Sequence, residues 1–102
     1  MTETMSGIRP RVLLSVQRAL LGEVFPALRG VGVGWDDRTI RIVCYIDGPA
    51  SPTDQDGLSG VESEVMADFS EDYEVRLDTV RCDEPAEMSP LQAWAYLRRE
   101  NH

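Results

Sequence analysis

The chain has 102 residues, 18 of them acidic and 10 basic, for a formal net charge of -8. That length suits one domain, and 42% hydrophobic residues can build a core, so wholesale disorder is excluded. Net acidity argues against direct nucleic-acid binding, which rests on basic groups neutralising phosphates, and no apolar run approaches the ~20 residues a membrane span needs.

Every basic side chain is arginine, and the charge is uneven along the chain. Residues 1–46 carry net +2, residues 47–87 net -11 and residues 88–102 net +1. The acidic middle lies inside the folding sequence, not in a tail, and suits a basic partner. The polar, acidic start (Met1, Thr2, Glu3) is not that of a signal peptide, so the chain is expected in the cytoplasm with Cys44 and Cys82 reduced.

In chain order, residues 1–8 are expected to be disordered and residues 9–100 to form a single α+β domain. Pro10 suits a first helical turn, and Leu13, Val16, Leu20 and Val24 repeat at helical spacing until Pro26 ends the helix. Residues 30–35 follow, with Val31, Val33 and Trp35 on one face and Gly30, Gly32 and Gly34 on the other. After a turn at Asp36 and Asp37, residues 39–47 alternate as a strand, so the two runs predict a β-hairpin. Ser51 offers an N-cap and Pro52 a first-turn proline, and Leu58, Val61, Val65 and Phe69 then mark a helix over 52–68. Residues 73–81 alternate as a third strand, residues 83–90 form a loop with two prolines, and residues 93–98 give a short fourth strand carrying Trp94 and Tyr96.

The order α-β-β-α-β-β predicts a four-stranded, mainly antiparallel sheet with two helices packed on one face and the other face partly open. The core is expected from Leu13, Val16, Leu20, Leu58, Val61 and Val65 against Ile40, Ile42 and Ile46. Strand order is not legible in the sequence.

Chemistry-bearing motifs are weak. The glycines at 30, 32 and 34 lie between a helix and a strand, whereas a dinucleotide loop joins a strand to a helix, so close packing against bare backbone explains them better. Asp54 and Asp56 resemble the middle of a calcium loop, but Pro52 and Ser63 occupy positions where carboxylates are required. The only histidine is the terminal His102, which leaves no zinc set and no histidine base or cysteine partner. No catalytic, cofactor or metal residues are assigned, and no cofactor is expected. Glu62 falls near the core side of the second helix; it reads as a boundary acid reaching for water or an arginine, or else as a partly buried acid with a raised pKa.

One set of short motifs spans most of the chain: Tyr45-x-Asp47-Gly48, Ser51-x-x-Asp54, Glu64-Val65-x-Ala67-Asp68-Phe69 and Tyr73-x-Val75. It continues through Arg81-x-Asp83, the proline loop and Trp94-x-Tyr96-x-Arg98-Arg99-Glu100. Over roughly residues 10–100 this resembles the small bacterial immunity proteins encoded beside contact-dependent or polymorphic toxins. The resemblance implies a small α+β domain that neutralises one cognate toxin by binding its toxic domain, without catalysis; such interfaces diverge quickly, so it carries over no contact residue.

From charge, the partner-binding candidates are Asp47, Asp54 and Asp56 at one end of the second helix and Asp68, Glu71, Asp72 and Glu74 at the other. Trp94 and Tyr96 are added as aromatic anchors, with Trp35 and Tyr45, on the open sheet face. The expected function is stoichiometric neutralisation of a basic toxin domain, with no direct nucleic-acid or membrane partner. The alternatives are a non-enzymatic adaptor or regulatory domain and, less favoured, a small enzyme using carboxylates such as Glu62 or Glu64.

Overall fold

The computed structural model describes residues 5–69 and 73–100. Its elements are α1 (Met5–Ala19), β1 (Leu28–Trp35), β2 (Thr39–Ile46), α2 (Pro52–Asp68), β3 (Glu74–Arg81) and β4 (Ala93–Leu97). They follow the predicted order. α1 starts at Met5, so Pro10 lies inside the helix and not in its first turn; residues 1–4 lie outside the described residues.

α1 also ends earlier than predicted. It stops at Ala19 rather than near Pro26, and the chain turns out through Gly22 at φ +80°, a conformation that costs glycine nothing. Val24 is consequently exposed. The apolar stripe of α1 runs through Ile8, Val12, Val16 and Ala19, all buried, with Leu20 beyond the last turn; Leu13, expected in the core, is only half-buried at its border. A stripe containing Val16 accommodates either neighbour, and contact with the sheet selected Val12.

α2 begins as its sequence predicts. The Ser51 Oγ accepts the Asp54 amide at 3.1 Å, Pro52 occupies the first turn, and Leu58, Val61 and Val65 are buried. They meet Ile40, Ile42, Cys44 and Ile46 of β2, with Val75 of β3 and Val31 and Val33 of β1 completing the layer. Burial pushes the Cys44 thiol up to about 12, in keeping with its role as a small core residue.

The sheet order is β3-β2-β1-β4 and the sheet is mixed. β1 pairs antiparallel with β2 and with β4, while β2 and β3 run parallel over eight residue pairs. The physical reason is the connection: α2 carries the chain back along the sheet, so β3 re-enters in the direction of β2 as a βαβ unit. β3 and β4 therefore do not pair, although they follow one another in the chain. They lie at opposite edges, and the chain between them crosses the face of the sheet away from the helices.

That crossing explains the glycines. A Cβ on Gly32 would sit 2.7 Å from the Pro90 carbonyl oxygen, and one on Gly30 would sit 2.9 Å from the Trp94 ring. Bare backbone on β1 lets residues 88–92 lie directly on it, tied by the Gln92 amide donating to the Val33 carbonyl at 2.9 Å. Leu91, at φ 62°, turns the segment from its bridge with Val33 into β4. The face expected to be open is thus partly covered by the protein's own chain.

Candidate partner-binding surface

The fold divides the carboxylates into those it uses and those it leaves to solvent. The largest internal use is at the end of the sheet where β1 begins and β2, β3 and β4 finish. Arg29, on β1, is 2% exposed, and its guanidinium makes a bidentate pair with Glu100 at 2.8 and 2.9 Å. The same guanidinium donates to the carbonyls of Cys82 (2.7 Å) and Ala86 (2.9 Å). Four of the five donors of the fork thus meet an oxygen, which is what makes a buried guanidinium tolerable. The Arg29 hydrogen bonds hold the Glu100 carboxyl at about 2, and Glu100 in turn keeps Arg29 charged against its desolvation.

Arg98 extends this network. It donates to Glu100 (2.9 Å), to Asp47 (3.2 Å) and to the Pro26 carbonyl (2.8 Å). Asp83 accepts the Gly48 amide at 2.7 Å and pairs with Arg81 at 3.0 Å, which together lower its pKa. Chain end, crossing loop and the exit of β2 are therefore locked together by charge-assisted hydrogen bonds.

The predicted binding residues do not converge on one spot. Asp47 is half-buried and engaged by Arg98. Asp68 is also engaged, accepting from the Ser15 hydroxyl at 2.5 Å and from Arg18 at 3.3 Å, which ties α2 to α1. Glu74 pairs with Arg76 at 2.9 Å in an exposed contact. Glu71 and Asp72 lie outside the described residues. Asp54 and Asp56 stand on the first turns of α2, fourteen and twelve residues and so about 21 and 18 Å of helix from Asp68.

The aromatic candidates also separate. Trp94 lies on the glycine face, edge-to-face with Tyr45 at 6.2 Å between ring centres. Tyr96 and Trp35 instead pack against the helix-side core, and Arg9 of α1 stacks over Trp35. The expectation of four aromatics on one open face is corrected on this point. A bulge between Val31 and Gly32 shifts the pairing with β4 and turns Tyr96 toward the helices.

Charge does segregate between the helices. α1 carries Arg9, Arg11 and Arg18 and no acid, whereas α2 carries Asp54, Asp56, Glu62, Glu64 and Asp68 and no base. Asp56 and Glu64 are exposed. Glu62 is a boundary residue whose Oε2 accepts the Leu77 amide of β3 at 2.7 Å, a backbone partner where water or arginine was expected. Beside it a groove between α2 and β3 is lined by Ser63, Met66, Ala67, Tyr73, Glu74 and Val75.

Sequence reasoning missed Arg29 and Glu100. The available signal was an arginine between Leu28 and Gly30 in an otherwise uncharged run, a place where a charge needs a dedicated partner.

No curated protein matches the chain. A family model, that of the MafI2 immunity protein, matches residues 9–100. The match runs from the first turns of α1 to Glu100, the carboxylate that neutralises Arg29, and so takes in both helices, all four strands and the closing ion pair. On that match the chain belongs to the MafI2 immunity protein family.

Proposed function

We propose that this protein is a stoichiometric inhibitor that binds one cognate toxin domain in the cytoplasm and blocks it by occupying a basic surface, without catalysis of its own. Membership of an immunity family supports a toxin as the partner. The observation that carries the acidic surface is α2: five acids and no base, with Asp54, Asp56 and Glu64 in no ion pair among the described residues. Carboxylates without internal partners are already hydrated and can exchange water for a partner's arginine or lysine, whereas Asp47 and Asp68 would first give up Arg98 and Arg18. A basic toxin cleft would meet such a surface faster at low salt, since screening acts beyond ~8 Å at physiological ionic strength.

The test is a titration of the chain against the toxin domain encoded by the neighbouring gene, across a salt series. Parent protein is expected to bind one to one with association that slows as salt rises. The triple variant Asp54→Asn, Asp56→Asn, Glu64→Gln should bind more weakly and with a shallower salt slope. Unchanged affinity and slope would remove α2 from the interface.

A further inference from the structure

β3 forms one edge of the sheet, and most of its residues are exposed. The Glu74 amide donates to Arg38 and the Cys82 amide to Ile46. In the parallel ladder with β2, the even-numbered amides of this stretch therefore point inward and those of Val75, Leu77, Thr79 and Arg81 point outward. Of these four, only Leu77 has an acceptor among the described residues, the Glu62 carboxylate. Thr79, Val80 and Arg81 are exposed, so the last part of β3 is bare on both faces as well as at its edge. Proteins normally cover or blunt such an edge, because unpaired amides and carbonyls form a template for another strand.

We infer that β3 docks an extended, basic segment of the toxin domain by strand addition, with Glu62 as an exchangeable cap on the edge. This rests on the toxin-binding reading above and specifies its mode. Main-chain pairing along Val75–Arg81 supplies register, and the groove beside Met66, Ala67 and Tyr73 receives alternate side chains of the incoming strand. Charge selects the occupant. Glu62 approaches from α2 and Asp78 stands on β3 itself, while Arg76 and Arg81 are already matched to Glu74 and Asp83. When an incoming carbonyl takes the Leu77 amide, the Glu62 carboxylate is released beside the new strand, where an arginine or lysine side chain would neutralise it.

The experiment uses the full chain and a catalytically inert form of the toxin domain encoded next to it. Amide hydrogen exchange is compared in the free chain and the complex, alongside binding by a Thr79→Pro variant. Residue 79 points its amide away from β2, so proline there removes an edge donor and leaves the ladder intact. Expected are exchange at Thr79 and Arg81 slowed at least about tenfold in the complex, and binding weakened about tenfold in a Thr79→Pro variant that melts like the parent. If that variant does not fold, the exchange data alone decide. A complex that leaves the Thr79 and Arg81 amides as fast as in the free chain overturns strand addition while leaving the toxin-binding reading intact; absence of any complex overturns both. A free chain that already dimerises with these amides protected assigns the edge to self-pairing and likewise overturns the inference.

Discussion

At the end of the sheet where β1 begins and β2, β3 and β4 finish, acids and bases neutralise each other; on α2, Asp54, Asp56 and Glu64 are in no ion pair among the described residues. Arg29, Arg98, Glu100 and Asp47 form a network whose central pair is almost fully buried, and the chain end is folded into it. On α2 and β3, by contrast, Asp56, Glu64 and Asp78 face solvent and Glu62 spends its carboxylate on a single edge amide. One sequence thus uses the same residue types for closure on one side and for availability on the other. What separates the two uses is desolvation: a buried carboxylate must be matched, and an exposed one need not be.

The strongest way to break the comparison is to remove one carboxylate from each side. Glu100→Ala strands the Arg29 guanidinium in a site 2% exposed and should produce the largest fall in melting temperature of any single carboxylate-to-alanine change, with loss of the native near-UV signal. Glu74→Ala removes a pair exposed on both sides and should leave the melt almost unchanged. Equal effects would show that the buried pair does not close the fold.

A second contrast lies in the glycines. Gly32→Ala places a methyl 2.7 Å from the Pro90 carbonyl oxygen, backbone that cannot step aside, and is expected to cost about 1–3 kcal/mol by chemical denaturation. A methyl added at Gly60, on α2, would meet nothing within 4 Å, so Gly60→Ala should instead stabilise by roughly 0.5–1 kcal/mol through helix propensity.

Acid sensitivity sharpens the same picture. The folded-state carboxyl of Glu100 titrates at about 2 against an ordinary value of 4.5. Its contribution is therefore complete above about 4.5 and is lost as pH falls through about 2. Melting temperature measured across that interval should fall more steeply in the parent than in Glu100→Gln. Parallel curves would assign the acid lability to other groups.

Much of this architecture is local and was therefore legible. The bounds of α2 follow from Ser51, Pro52 and the spacing of Leu58, Val61 and Val65; the hairpin follows from alternation on either side of Asp36 and Asp37. The immunity-family resemblance was legible in short motifs, and the acidity of the middle segment in simple charge counting. The candidate surface was legible only in part: Asp54 and Asp56 stand free on α2, but Asp47, Asp68 and Glu74 are paired, and nothing in the sequence neighbourhoods of Asp47 and Asp68 distinguishes them from the free acids. Their partners lie from two to about fifty residues away. The same distance hid the rest. Strand direction depends on how α2 packs, and the use of Gly32 depends on the distant Pro90. The pairing of Arg29 with Glu100 spans 71 positions. The sequence by itself determined which elements form, because helix caps, turns and apolar periodicity act over a few residues. Only the tertiary structure decided which strand is left at the edge and which charges are buried together, because burial is a property of distant segments meeting.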